Sequence, residues 1–248
     1  MSKAYWHIRN CSLFQQLTED EISALETHAK VKKFAKGESI YKPTDAADGT
    51  FLLAEGRIRL CSLTPDGRQS ILGFVEPGEL FGELGLVDPG YREERAVAVV
   101  PSVVTYIPNQ ALWDLMEKSP DLTVGVTKLI GMRRRRIERR LRGLLFRTNR
   151  DRLKSLLVEL AEQYGAPSAD GVELTIRLSH LDLANIIGAT RETVTNLLGE
   201  MQERGELLVK RQRLIIHDVR RMAESVRPAD HPAMEPPKPS LKASSSSH

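Results

Sequence analysis

The residues best suited to specific chemistry lie in LSHLDLANIIGATRETVTNLLGEMQERGEL, residues 178–207. Ser179 precedes a short apolar-periodic segment and has Asp182 three residues on, the pattern of a helix N-cap. Leu183, Ala184 and Ile187 form its inward face, and Gly188 permits a tight turn. Thr190 then caps a second helix with Val194, Leu197 and Leu198 as its buried stripe and Gly205 at its end. Two short helices joined by a small-residue turn form a helix-turn-helix. In that geometry the first residues of the second helix meet the major groove. Arg191, Glu192, Thr195 and Asn196 are polar and lie away from the buried stripe. Arg takes guanine through O6 and N7, Glu accepts from cytosine N4, and each good base contact discriminates by roughly 1–3 kcal/mol. Ser179, His180, Thr190 and Thr193 are placed for phosphate contacts, as are the basic residues of VKRQR, residues 209–213. A helical hairpin with a solvated face is the blander reading; cap, turn, burial pattern and Arg-Glu pair together favour DNA.

A second stretch, LFGELGLVDPGYREERAVAVV (residues 80–100), sets a Gly-Glu pair before a Pro- and Gly-containing loop, then Arg95 beside Ala96. It reads as a phosphate pocket or as the remains of one. Between the two stretches, residues 133–152 carry ten Arg against Glu138 and Asp151. Such a cluster points to an anionic partner or to a heavily solvated helix face.

The elements that must position these residues follow from periodicity. Residues 14–30 read as a helix, with Thr18 and Glu21 as a capping box and Ile22, Leu25 and Ala29 at helical spacing. Short β-type runs broken by Gly, Pro and Asp follow, with Asp66-Gly67 a hairpin signal, as in a jelly roll. From Asn109 into the 140s one helix is expected, with Val126, Ile130, Ile137, Leu141 and Leu144 near heptad spacing. It packs on its own domain or forms a two-stranded dimer seam; the narrow apolar stripe among arginines favours the dimer. After about residue 150 come a helix ending at Gly165, a turn and short strand, the helix-turn-helix, and two short strands with a basic turn. The Pro- and Ser-rich segment from Arg227 is expected to be disordered.

The totals narrow the function classes. Hydrophobic residues make up 41% and charged residues 28%, within the soluble globular range, and the net charge is +3. No apolar run reaches the ~18–20 residues of a membrane helix, and no signal-peptide pattern opens the chain, so a cytoplasmic protein is expected. Cys11 and Cys61 form no cluster, which argues against an iron–sulfur site and favours packing roles. None of the six His lies between Lys30 and Arg177, which argues against haem in the roll. No nucleophile–base, paired-carboxylate or metal-ligand arrangement is found, so neither catalytic residues nor a metal site is expected, and the chain is not read as an enzyme.

The order β-roll, long helix, helix-turn-helix with a small β-wing resembles the CRP/FNR (catabolite activator / fumarate-nitrate regulator) family of transcription factors. The resemblance spans residues 12–220 and rests on GELGL followed by Arg95, and on TRETV. It implies an α+β chain: a cyclic-nucleotide-binding-like β-roll (jelly roll) at 12–108, a dimerisation helix and hinge at 109–147, a winged helix-turn-helix at 148–220, and a tail at 227–248. It implies a homodimer on a palindromic operator with TGT-type half-sites, acting on RNA polymerase, with double-stranded DNA as partner and no membrane. Arg191 and Glu192 match the family's base-reading pair, and Asn196 stands where cyclic-AMP-responsive members usually have Arg. In the roll, Gly82, Glu83, Leu84 and Arg95 match the nucleotide cassette, Ala96 replaces its Ser, and the intervening loop is longer. Arg133 matches a helix Arg lying near the cassette Glu. Ile137 and Glu138 stand where hydroxyl residues usually read adenine. Cyclic AMP, cyclic GMP, another anionic nucleotide or no effector at all stay open. In the last case Glu83, Arg95 and Arg133 form a charged cluster that only holds the roll to the helix. A cyclic-nucleotide-binding module of a signalling complex is the alternative from another class. The hinge is expected near Phe146–Asn149.

Overall fold

The computed structural model describes residues 3–63, 69–210 and 213–227. Contacts group them into two compact units, residues 1–152 with 178–195, and residues 153–177 with those from 196 onward.

The first unit begins with α1 (Lys3–Arg9), a 3-10 turn at Ser12–Phe14, and α2 (Glu19–His28). The expected capping box is formed: Glu21 N donates to Thr18 Oγ1 and Thr18 N donates to Glu21 Oε2 at 2.8 Å. Because Thr18 is the cap, the helix starts after it rather than at residue 14. Phe14 instead closes the 3-10 turn with its ring fully buried. α1 was not anticipated; its seven residues bury Ala4, Tyr5 and Ile8.

Eight short strands follow: β1 (Lys30–Phe34), β2 (Ser39–Tyr41), β3 (Gly49–Glu55), β4 (Ile58–Leu63), β5 (Gln69–Val75), β6 (Leu80–Phe81), β7 (Arg95–Ala98) and β8 (Ser102–Pro108). They form two antiparallel sheets, ordered β1-β8-β3-β6 and β2-β7-β4-β5. The roll core holds Tyr41, Phe51 and Phe81 in a stack with ring centroids 5.3–6.2 Å apart. The expected Asp66-Gly67 turn lies outside the described residues, between strands paired at Leu63 and Gln69. A second core joins Ile8, Phe14, Ile22 and Leu25 to Leu112, Leu115, Leu122 and Val126. Cys11 and Cys61 are both buried.

The single helix expected from Asn109 is two helices, α3 (Asn109–Lys118) and α4 (Pro120–Phe146). Ser119 is extended (φ −120°, ψ 95°) and its Oγ accepts from Leu122 N. Pro120 has no N–H with which to continue α3, and its fixed φ suits the first position of a new helix. α4 buries Leu122 and Val126, whereas Ile137, Leu141 and Leu144 are 42–53% exposed.

α5 (Asn149–Tyr164) leads into the second unit, where Leu153, Leu156, Leu157 and Leu160 are buried. The one strand expected next is a hairpin, β9 (Gly165–Ser168) with β10 (Gly171–Leu174), turning through Gly171 at φ +131°. α6 (His180–Ile187) and α7 (Arg191–Glu203) precede β11 (Leu207–Lys210), β12 (Arg213–Ile216) and α8 (Val219–Ser225). The small sheet is ordered β11-β12-β10-β9, and Lys154 Nζ meets Glu206 Oε2 at 2.9 Å. The tip of the basic turn, residues 211–212, and the tail beyond Arg227 lie outside the described residues. Among the described residues no helix is long and apolar enough to cross a membrane.

Candidate DNA-binding and effector-binding sites

Local chemistry shapes the helix pair. Ser179 Oγ accepts from Asp182 N at 3.1 Å, and Ser179 N donates back to Asp182 Oδ2 at 3.0 Å. Gly188 ends α6 in the left-handed region (φ +68°), which glycine occupies without penalty. Thr190 Oγ1 accepts from Thr193 N at 3.1 Å and lies 3.0 Å from Thr193 Oγ1. Leu183, Ala184, Ile187, Val194 and Leu198 are buried as expected, while Leu197 is only half-buried.

The first turns of α7 expose Arg191, Glu192, Thr195 and Asn196. Glu192 is held below the ordinary carboxylate range by its own backbone N–H, the Thr190 hydroxyl and neighbouring Arg191, so it is an anion and a pure acceptor at neutral pH. Thr195 Oγ1 donates to Arg191 O at 2.9 Å and therefore accepts from His180, whose Nδ1 is 2.8 Å away. This fixes the tautomer with the proton on Nδ1 and ties α6 to α7. Of the expected phosphate-contact residues, Ser179, Thr190 and Thr193 are thus joined in local caps and His180 to Thr195.

The roll cassette is built differently. Gly82 sits at φ +70° at the head of the 3-10 turn Glu83–Leu86. A Cβ there would lie 2.8 Å from Arg92 Nη1 and 3.2 Å from the Phe51 ring, in a backbone conformation that favours glycine. Glu83 is buried and paired with Arg133 Nη1, while Arg133 Nη2 donates to Leu80 O. Leu84 is exposed and Ala96 is fully buried. Of the charged cluster expected for an effector-free roll, Glu83 and Arg133 pair, while Arg95 bonds elsewhere. It stands on β7, whose neighbour β2 brings Ser39 within reach, and its Nε and Nη2 donate to Ser39 Oγ at 2.9 and 2.7 Å.

The sequence reading missed Arg92. It leaves the long loop and enters the roll, buried, with its guanidinium carbon 4.7 Å from the Tyr41 ring centroid. Its Nη1 donates to Gly82 O at 2.7 Å and its Nη2 to Gly49 O. Beside it Tyr41 Oη donates to Glu94 Oε1 at 2.5 Å. Burial pushes the Glu94 carboxyl up; the Tyr41 bond opposes this and the Glu83 charge reinforces it. A basic residue in a polar loop carries no signal that it will turn inward.

On α4 the arginine run divides by face. Arg133 reaches the cassette and Arg140 Nη1 donates to Leu72 O at 2.7 Å. Arg134 pairs with Glu138 at 2.8 Å on the exposed surface, and Ile137 beside it is about half exposed.

Comparison with known proteins decides what this arrangement is. The cyclic nucleotide-binding domain model matches residues 31–119, and the Crp-like helix-turn-helix domain model matches residues 151–225. The chain belongs to the CRP/FNR family. It is similar to the CRP-like cAMP-activated global transcriptional regulator of Mycobacterium tuberculosis, 25% identical over 220 residues, covering 89% of this chain and 98% of that one. It is also similar to the fumarate and nitrate reduction regulatory protein of Salmonella typhimurium, 27% identical over 218 residues, covering 86% and 87%. A CRP-family transcriptional regulator of Thermus thermophilus shares the fold with a TM-score of 0.65 at 26% identity, covering 79% of this chain and 96% of that one. The chain is thus a CRP/FNR-type transcriptional regulator with a DNA-binding helix-turn-helix.

Proposed function

We propose that the protein is a homodimer that binds a palindromic operator with TGT-type half-sites and acts on RNA polymerase, in the cytoplasm. The observation that carries this reading is the exposed Arg191, Glu192, Thr195 and Asn196 at the start of α7. Arg191 takes guanine and Glu192 accepts from cytosine, while Asn196 relaxes or alters the innermost base pairs toward adenine. Residues 12–108 act as sensor, 109–147 as dimer helix and hinge, and 148–220 as the DNA-binding domain. The exposed apolar face of α4, with Ile137, Leu141 and Leu144, supplies the dimer seam.

The roll takes an anionic nucleotide. Arg95 and the Ser39 hydroxyl form a charged donor set for its phosphate, in place of the hydroxyl that buried Ala96 lacks. Glu83 accepts from the sugar and Glu138 from an amino group of the base. A second reading, an effector-free regulator, is favoured by the Glu83–Arg133 pair, which satisfies the cassette from within the chain.

The test is fluorescence anisotropy on a duplex carrying an inverted TGT-type repeat, at fixed salt, with and without cyclic AMP, cyclic GMP and cyclic di-GMP. Salt-dependent, sequence-preferring binding that one nucleotide shifts at micromolar levels supports both parts. Tight binding indifferent to all three supports the second reading of the roll. Absence of preference for the repeat over random duplex overturns the operator assignment.

A further inference from the structure

α6 makes more contacts than a helical hairpin needs. It packs on β5, and residues 178–195 group with the unit that contains the roll and α4 rather than with residues 153–177. Two arginines outside the helix pair hold its ends. At the first turn, Arg59 Nη1 from β4 donates to Asp182 Oδ1 at 2.8 Å, leaving Oδ2 to the Ser179 cap. Both side chains are only about one-fifth exposed (23% and 21%), so the pair is shielded from full solvent screening. At the last turn, Arg152 Nη1 donates to Ile187 O at 3.4 Å, its Nη2 to Leu144 O at 2.7 Å, and its Nε faces Gly143 O and Arg147 O at 3.2 and 3.1 Å. One guanidinium therefore sits where the carbonyl ends of α4 and α6 converge, a site favoured by both helix dipoles. Leu144 also lies 2.9 Å from where a Cβ on Gly188 would stand, so the end of α4 abuts the turn between α6 and α7.

The Ser179 cap, the Gly188 turn and the buried stripe of the hairpin are formed by its own residues. The Arg59 and Arg152 bonds tie α6 to β4 and to α4, and the His180–Thr195 bond passes that constraint on to α7. We propose that Arg59 and Arg152 are positioning residues for DNA recognition: they fix α6 at both ends and thereby the aim of α7, without touching DNA. The inference rests on the reading of a dimer on a two-fold operator. Such a dimer needs its two recognition helices at one separation, about 34 Å. A helix free to wander adds an ordering cost to two-site binding that one-site binding does not bear.

The experiment compares full-length wild type with Arg59→Gln, Asp182→Asn, their double variant, and Arg152→Lys, which keeps the charge but not the planar fork. Binding is measured on three duplexes: the inverted TGT-type repeat, the same repeat with two base pairs inserted at its centre, and a single half-site. Amide hydrogen exchange of Leu183–Ile187 is followed in parallel. Arg59→Gln is expected to weaken binding to the repeat about tenfold, in line with loss of one charge-assisted hydrogen bond. Single-site binding stays within about twofold, preference against the lengthened spacer shrinks, and the salt slope is unchanged, because no phosphate contact is lost. The double variant adds little to the single ones, exchange in α6 quickens while β3 and β8 stay protected, and Arg152→Lys behaves like Arg59→Gln. Equal loss on repeat and single site with a shallower salt slope would make Arg59 a phosphate contact and overturn the proposal. Tighter binding to the repeat would make the clamp an obstacle to DNA and overturn it equally, as would unchanged binding with unchanged exchange. A wild type that does not prefer the repeat to the half-site refutes the operator reading instead, and the exchange data then still decide whether the arginines hold α6.

Discussion

At the start of α7, Arg191, Glu192, Thr195 and Asn196 stand exposed, and the bonds of Glu192 and Thr195 stay within the helix pair, whereas in the roll Glu83, Arg92 and Arg95 are each engaged by a group distant in sequence. The two regions meet their partners under different terms. A recognition helix exchanges bonds to water for bonds to base edges, so each contact contributes a modest net gain without breaking a bond to a distant part of the chain. A ligand of the cassette would have to exchange intramolecular bonds for its own, and only the difference would appear as affinity. On the proposed effector reading, a ligand that took Glu83 would release Arg133, a residue of α4, and so report to that helix.

The comparison breaks first, and by the largest amount, at Arg133. Arg133→Ala leaves Glu83, with its side chain only 4% exposed, as an uncompensated buried charge, and removing one partner of a buried pair costs about 3–5 kcal/mol. Urea unfolding is expected to show a loss of that order. A loss below about 1 kcal/mol would mean that Glu83 finds water or another partner and that the cassette is not internally closed.

Arg191→Ala is expected to have the reverse profile. Operator binding falls by about 1–3 kcal/mol per half-site, seen as a weaker anisotropy midpoint with relaxed preference at one base pair. Unfolding stability stays within about 0.5 kcal/mol, as for exposed positions generally. A matching drop in stability would place Arg191 in the fold rather than on the recognition face.

A smaller effect sharpens the roll side. Glu94 is pushed up mainly by burial, so in the folded chain it holds its proton to higher pH than the about 4.3 of a free glutamate. The folded state then binds more protons than the unfolded one between those two values, and stability falls as pH rises through that window. Glu94→Gln should remove that part of the slope, with wild type and variant converging toward acid and the variant gaining on wild type toward neutrality. Parallel curves would mean that Glu94 is already relieved by Arg92 and Arg133.

What was legible in the chain follows the same division. The helix-turn-helix is written locally: Ser179 with Asp182, Gly188, and Thr190 with Thr193 each act within four residues, so type and spacing suffice. The Thr18–Glu21 box was legible for the same reason, and the break at Ser119-Pro120 was written just as locally, in a residue without an N–H to continue α3. In the roll, the Glu83–Arg133 pair was legible only through the family resemblance; the rest of its polar geometry was not, because its bonds join residues far apart in sequence. Arg95 finds Ser39 across 56 positions, and Arg59 finds Asp182 across 123. Arg92 shows the limit most clearly: its type and its loop both say solvent, and only the closed roll supplies the aromatic faces and carbonyls that draw it inward.

The smallest effect lies on the exposed surface of α4. Glu138 pairs with Arg134 four residues earlier, on a surface where the side chains are 47% and 79% exposed. Exposed pairs at this spacing contribute about 0.3–0.5 kcal/mol, and Arg preceding Glu is the weaker order. Glu138→Ala should therefore leave urea unfolding within about 0.5 kcal/mol of wild type, and binding to the operator without nucleotide should not move, because Glu138 is distant in role from α7. A nucleotide whose amino group is accepted by Glu138 should lose several-fold of its effect on operator binding in this variant, about 1 kcal/mol for one hydrogen bond at a partly exposed site. If every nucleotide acts on the variant as on wild type, the base is not read from this turn of α4, and the cassette must discriminate through Arg95, Ser39 and Glu83 alone. The near-zero stability change is what makes that comparison readable: at Arg133 the fold and the ligand site cannot be separated, whereas at Glu138 they can.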